Sequence, residues 1–152
     1  MEYNSVENAF GESWNMGKIE RVGISLEQEL LAKFDALIEK QGYPNRSEAV
    51  RDLIRARLEQ EYLADPSSDA VAAILLIYDH HLTGLTTKLT HLQHSHLLHI
   101  ITTTHVHLDH HNCLEVIILK GKVREIQSLA DRMTSLKGVK LSRVNIMSAT
   151  GA

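Results

Sequence analysis

The chain has 152 residues, enough for one ordinary domain or two small ones. An apolar fraction of 43% without any run of about eighteen apolar residues excludes a membrane-spanning helix, and no membrane partner is expected. The net charge is −3, divided as −3 in residues 1–17, −1 in 18–63 and +1 in 64–152, which excludes a basic tail; contact with nucleic acid must therefore rest on a few well-placed arginines.

Residues 1–17 are polar and acidic, lack the apolar stretch of a secretory signal, and read as a mobile arm despite Phe10 and Trp14. The single cysteine, Cys113, cannot form an intrachain disulfide, so a reducing cytoplasm is the expected compartment. Ile19, Val22 and Ile24 alternate roughly with polar residues and predict a short strand over 19–25. Leu26, Leu30, Phe34, Leu37 and Ile38 recur at helical spacing, and Gly42-Tyr43-Pro44 ends that helix. Asn45 with Glu48 three residues later is a capping-box-like start, followed by a second apolar stripe of Ala49, Val50, Leu53, Ile54 and Leu58. Residues 18–63 thus read strand, helix, helix.

A linker at 64–69, containing Asp65-Pro66-Ser67-Ser68-Asp69, separates this module from residues 70–148. Ala70 to Tyr78 is an apolar run of strand length, and Leu82, Leu85, Leu89 and Leu92 continue at helical spacing. Leu98 to Leu108 alternates, turns at Asp109 to Asn112, and is followed by a buried-looking strand from Leu114 to Leu119. Val123, Ile126, Leu129, Ala130 and Met133 predict a helix ended by Gly138, and Val139 to Met147 a last strand. The order βαββαβ is the ferredoxin-like split unit, and the chain is expected to be α+β.

A strand-helix-helix module of about forty-five residues has too little core to stand alone, so a second copy is expected to complete it. Two such strands paired antiparallel form a ribbon that fits the major groove. With Val22 and Ile24 inward, Arg21, Gly23 and Ser25 face outward toward base edges. The helix beginning after Asn45 points free N–H groups at a phosphate, with Arg46, Ser47 and Arg51 nearby. The alternative is a helical hairpin used only for dimerisation, with Arg21 an ordinary solvated side chain.

All ten histidines lie between His80 and His111, which directs the second half toward metal chemistry. His105 and His107 share one face of a strand, and Cys113 follows just past the turn, so the three can converge. One thiolate with imidazoles suits zinc, copper or nickel, and spacing does not choose among them. The fourth ligand can be His94, His96, His99 or a residue of another subunit. His80-His81, His110-His111 and His91 read as solvated turn and helix-end residues, with a second, weaker metal site as the alternative.

Arg-Val-x-Ile-Ser-Leu at 21–26, Gly-Tyr-x-Asn-Arg-Ser-Glu-Ala-Val-Arg-Asp at 42–52 and Thr-His-Val-His-Leu-Asp-His-His-Asn-Cys-Leu-Glu at 104–115 together resemble the nickel-responsive regulator family over residues 18–147. The resemblance implies a repressor that binds a palindromic double-stranded operator when loaded with nickel(II). It implies a homotetramer in which two ribbon-helix-helix dimers flank four ferredoxin-like domains of the ACT type. It implies square-planar nickel on His105, His107 and Cys113 of one subunit and His94 of a neighbour. It implies a second cation, with potassium as the candidate, held by Glu48 and Asp52 when DNA is bound, and Arg21, Gly23 and Ser25 at base-reading positions. Gly23 stands where some relatives carry a threonine, and Leu82-Thr83 where some carry a basic pair, so operator and loop contacts differ. The rivals are a histidine-rich nickel or copper buffer without specific DNA recognition, a zinc hydrolase, for which no general base is placed near His105, and an ACT-type amino-acid sensor. A regulator and not an enzyme is the expectation.

Overall fold

The structure, a computed structural model, describes residues 19–95 and 100–149. The arm expected at 1–17 lies outside them, as do His96 and His99. The chain forms two compact units, one ending at Pro44 and the other beginning at Asn45.

In the first unit, residues 19–27 carry no regular secondary structure and lead into helix α1, Gln28–Lys40, with Glu27 in extended backbone. The strand expected at 19–25 has no ladder here. A strand exists by pairing, and no described segment pairs with it. Its apolar side chains stay in solvent, Ile19 at 88%, Val22 at 81% and Ile24 at 63% exposure. Helix α1 stops where Gly42 enters the left-handed region at φ 76°. The Gly42 N–H donates to the Glu39 carbonyl and the Tyr43 N–H to that of Ile38, both at 3.0 Å, a closure that a side chain at position 42 would strain.

The second unit begins with α2, Arg46–Leu63, whose first turn is capped as the sequence predicts: Asn45 Oδ1 accepts from the Glu48 N–H at 2.9 Å. Its stripe residues Leu53, Ile54 and Leu58 remain exposed. The far end of α2 is tied to the sheet, because the Ser148 N–H donates to Glu59 Oε1 at 3.0 Å and the Asp69 N–H to the Tyr62 hydroxyl at 3.3 Å. Between them Asp65 turns the chain by accepting from the Ser67 N–H and hydroxyl at 2.8 and 2.7 Å.

Strand β1 (Asp69–Asp79), α3 (Leu85–Ser95), β2 (Ile100–His107), β3 (Asn112–Lys122), α4 (Val123–Thr134) and β4 (Val139–Ser148) follow. The sheet is antiparallel in the order β2-β3-β1-β4, the arrangement expected of βαββαβ. Burial alternates along β1 and β3 with period two, so Ala72, Ile74, Leu76 and Tyr78 oppose Leu119, Ile117, Glu115 and Cys113 on one face. Leu85, Leu89 and Leu92 of α3 and Ile126, Leu129, Ala130 and Met133 of α4 join them in one core. Each such Leu or Ile contributes roughly 1.5–3 kcal/mol by burial, so Leu129→Ala is the kind of change that breaks this layer. Gly138, at φ 108°, allows the tight approach of α3, since a β-carbon there would lie 2.7 Å from Leu82 Cδ1 and 2.9 Å from Leu85 Cδ2. The other sheet face carries Val71, Leu75 and Ile77 half-buried and, beside them, Leu141 and Met147 exposed.

Candidate metal centre and nucleic-acid face

The β2–β3 hairpin places the chemistry. Asp109 closes the turn and has its carboxyl held down at about 2, first by the Asn112 side-chain amide, which donates to Oδ2 at 2.8 Å, and then by the His111 and Asn112 N–H groups, which donate to Oδ1 at 2.7 and 2.8 Å. The ladder then sets His107 opposite Cys113, and His105 opposite Glu115. Both histidines therefore stand on the same face as Cys113, as alternation along a strand requires.

Cys113 is fully buried and meets two imidazoles: His107 Nδ1 at 3.2 Å and His80 Nδ1 at 3.3 Å from Sγ. His80, His107 and Cys113 are the described residues whose ligand atoms gather within 4.8 Å of one another. His80 enters because β1 pairs with β3 in a register that sets Tyr78 beside Cys113 and runs β1 out next to the hairpin, where the His80 N–H donates to the His111 carbonyl at 3.2 Å. Burial pushes the Cys113 thiol above its ordinary value, helped by the negative charges of Asp109, Asp79 and Glu115. Burial pulls His80 down, reinforced by His81 and His107, which favours the neutral imidazole a metal requires.

His105 stands one ring away. Its centroid is 5.0 Å from that of His107, and its Nδ1 lies 3.4 Å from the Tyr78 hydroxyl. That hydroxyl gives its proton to Glu115 Oε2 at 2.8 Å, so His105 Nδ1–H donates to the hydroxyl oxygen and Nε2 is left as the ring's lone pair. Glu115 is the buried charged residue of the core at 6% exposure, and Gln93 of α3 donates to its other oxygen. Burial, and then Glu115, push the Tyr78 hydroxyl above its ordinary value. His94 is exposed in the last turn of α3 and takes no part in this cluster within one chain. A soft sulfur with imidazole nitrogens at these distances is a donor set that fits nickel(II), and also copper or zinc.

Two residues of the site were not anticipated. His80 reads locally as a strand-end histidine, and only the β1–β3 register reveals it. Glu115 had a visible signal, an acid at a helix-facing position of an otherwise apolar strand.

Arg21, Gly23 and Ser25 are exposed on the segment that precedes α1, and a side chain added at Gly23 would meet nothing within 4 Å. Arg46 and Ser47 are exposed in the first turn of α2 after the Asn45 cap. Glu48 and Asp52 lie four apart on α2, and each already faces an arginine: Arg51 Nη2 contacts Glu48 Oε2, and Arg55 Nη1 lies 3.1 Å from Asp52 Oδ1. These pairs are half-exposed and worth little individually. No helix among the described residues is long and apolar enough to cross a membrane.

Comparison with known proteins agrees with both halves. Residues 20–61 match the ribbon-helix-helix proteins of the copG family, and residues 71–147 match the NikR C terminal nickel binding domain. A relative from Geobacter metallireducens, assigned as a nickel-responsive regulator, is 48% identical over 136 residues, covering 90% of this chain and 97% of its own. Relatives of the same assignment from Geobacter sulfurreducens and Lawsonia intracellularis are 47% and 48% identical, covering 90% and 87% of this chain and 97% and 95% of their own. These are regulators and not enzymes. A ribbon-helix-helix match, a nickel-binding-domain match and near-half identity across most of its length have one meaning: the chain belongs to the family of nickel-responsive transcriptional regulators.

Proposed function

We propose that the chain is a repressor that takes hold of a palindromic operator when loaded with nickel(II). The observation that carries this is the pairing of His107 with Cys113 across the β2–β3 ladder, with His105 on the same face one step away. In this reading His105, through Nε2, His107 and Cys113 hold nickel with His94 of a neighbouring copy. Nickel held there would link two subunits. The chain's own residues supply the rest: Cys113 gives up its proton, Asp109 fixes the hairpin, and Tyr78 orients His105.

The oligomer is a homotetramer, a dimer of dimers. Support comes from two apolar surfaces left wholly or partly open among the described residues: Ile19, Val22 and Ile24 before α1, and the sheet face of Val71, Leu75, Ile77, Leu141 and Met147. Two extended segments from two copies would pair into the ribbon, with Arg21, Gly23 and Ser25 toward base edges and the Asn45-capped helix, Arg46, Ser47 and Arg51 toward phosphate. In that arrangement residues 18–63 form the DNA-binding domain, 64–69 the linker and 70–148 the metal-binding and tetramerisation domain. Glu48 and Asp52 take a second cation, potassium being the abundant candidate, once DNA phosphate competes for their arginines. The cytoplasm, where operator DNA lies, is the compartment. A site that spans subunits gives the switch its basis, since nickel favours whichever quaternary arrangement completes its ligand set.

The test is retention of random-sequence duplex DNA with and without stoichiometric nickel. Selection of two separated, inverted half-sites only in the presence of nickel supports the reading. Nickel binding without sequence selection would instead indicate a buffer.

A further inference from the structure

Away from the metal centre, α3 and α4 leave between them a cleft of about 480 Å³ within the second unit. Lys88, His91 and Leu92 line it from α3, and Arg132, Ser135 and Leu136 from the end of α4 and the turn beyond. We propose that this cleft binds a small organic anion, an oxyanion head on a short apolar tail, and that the bound anion raises nickel affinity by tying α3 to α4.

Charge, place and floor carry it. Lys88, His91 and Arg132 border the cleft, and among the described residues no carboxylate lines it. Among the described residues, no hydrogen bond or ion pair engages the side chain of Lys88 or His91. Lys88 stands one turn from the N-terminus of α3, the end at which a helix disfavours a cation, so its own helix does not account for it. Nor does the end of α4 call for cations from α3. The carbonyls of Asp131, Arg132 and Met133 already accept from the Ser135 N–H, the Ser135 hydroxyl and the Leu136 N–H at 3.1, 3.3 and 3.3 Å. Leu92, 8% exposed, and half-buried Leu136 give the cleft an apolar floor. Its volume falls in the range of small-molecule sites, roughly 300–1,000 Å³. An oxyanion head takes the Arg132 guanidinium fork and the Lys88 point charge, while the tail covers the two leucines. Carboxylates and phosphate monoesters share that chemistry. His94 lies three residues beyond His91 on α3, so an anion bridging the two helices steadies the donor offered to a neighbouring copy.

The coupling to nickel rests on the reading of His94 as a ligand; the anion site does not. Full-length, metal-free protein is titrated calorimetrically with octanoate, octyl phosphate, octanol and inorganic phosphate. Both amphipathic anions should bind saturably, one per chain, and the tighter of the two names the head group. Lys88→Gln should weaken them roughly tenfold, the value of one charge-assisted contact, Lys88→Glu should abolish binding, and Arg124→Gln at the other end of α4 should change it by less than about twofold. No saturable binding of either anion, octanol binding as tightly as octanoate, or indifference to Lys88→Glu would overturn the site. Inorganic phosphate binding as tightly as octyl phosphate would overturn the apolar floor. Nickel affinity is then measured by chelator competition with and without saturating anion. It should rise roughly fivefold or more in wild type and stay unchanged in Lys88→Glu. An anion that binds and leaves wild-type nickel affinity unchanged would overturn the coupling. A His94→Gln protein that bound nickel as wild type does would instead overturn the nickel ligand set, with the anion titrations standing.

Discussion

Tyr78→Phe removes one oxygen from a packed site and tests whether the Tyr78–Glu115 bond orders the metal centre. Tyr78 is buried and gives its proton to the buried Glu115 carboxylate at 2.8 Å, while Gln93 supports the other oxygen. Phenylalanine keeps the ring, so no cavity opens, and the loss is that of a hydrogen bond to a charged acceptor, roughly 1.5–3 kcal/mol. For a chain of this size that corresponds to a fall in Tm of about 3–12 °C, measured on metal-free protein at neutral pH and one fixed concentration, because association also shifts Tm. The same substitution in a Glu115→Leu background should cost much less, since only the longer 3.4 Å contact with His105 is then left to lose. A Tyr78→Phe protein melting within about 1 °C of wild type, or an equal loss in both backgrounds, would refute the reasoning.

Arg21→Ala should weaken specific operator binding by roughly 1–3 kcal/mol while leaving nickel affinity unchanged, read by fluorescence anisotropy and by chelator competition; equal operator binding would remove Arg21 from the interface. Operator affinity of the nickel-loaded protein should change when potassium is exchanged for a larger organic cation at constant ionic strength, and Glu48→Gln with Asp52→Asn should abolish that difference; cation-indifferent binding in wild type would dismiss the second site. Nickel affinity should rise steadily as pH increases past neutrality. The metal must displace the Cys113 proton, and burial, followed by Asp109, Asp79 and Glu115, holds that proton more tightly than in a free thiol. A flat profile above pH 7 in chelator titrations would show that the thiol is not a ligand.

Much of the fold was legible because local signals agreed with the tertiary outcome. The apolar run at 70–78 became β1, the Asp109–Asn112 turn joined β2 to β3, and the stripe from Val123 to Met133 became the buried face of α4. The Asn45 cap formed as its spacing predicted. The strand at 19–25 was legible only as a pattern, because a strand exists by pairing and no described segment pairs with it. The stripe Leu53, Ile54 and Leu58 likewise shows in its spacing but stays exposed among the described residues. At the metal centre, spacing along one strand brought out His105 and His107. It could not find His80, which reaches Cys113 only through a pairing thirty-three residues distant in sequence. Nor could it see that Tyr78 holds His105 from behind.

In the proposed switch, Cys113 couples nickel to DNA. The most direct measurement is duplex retention from a random pool by wild type and Cys113→Ala, each with and without one equivalent of nickel per chain, after circular dichroism has verified that both are folded. Wild type should enrich inverted half-sites only with nickel, and Cys113→Ala should enrich none in either condition. A Cys113→Ala protein that still selected the operator only when nickel was added would contradict the account.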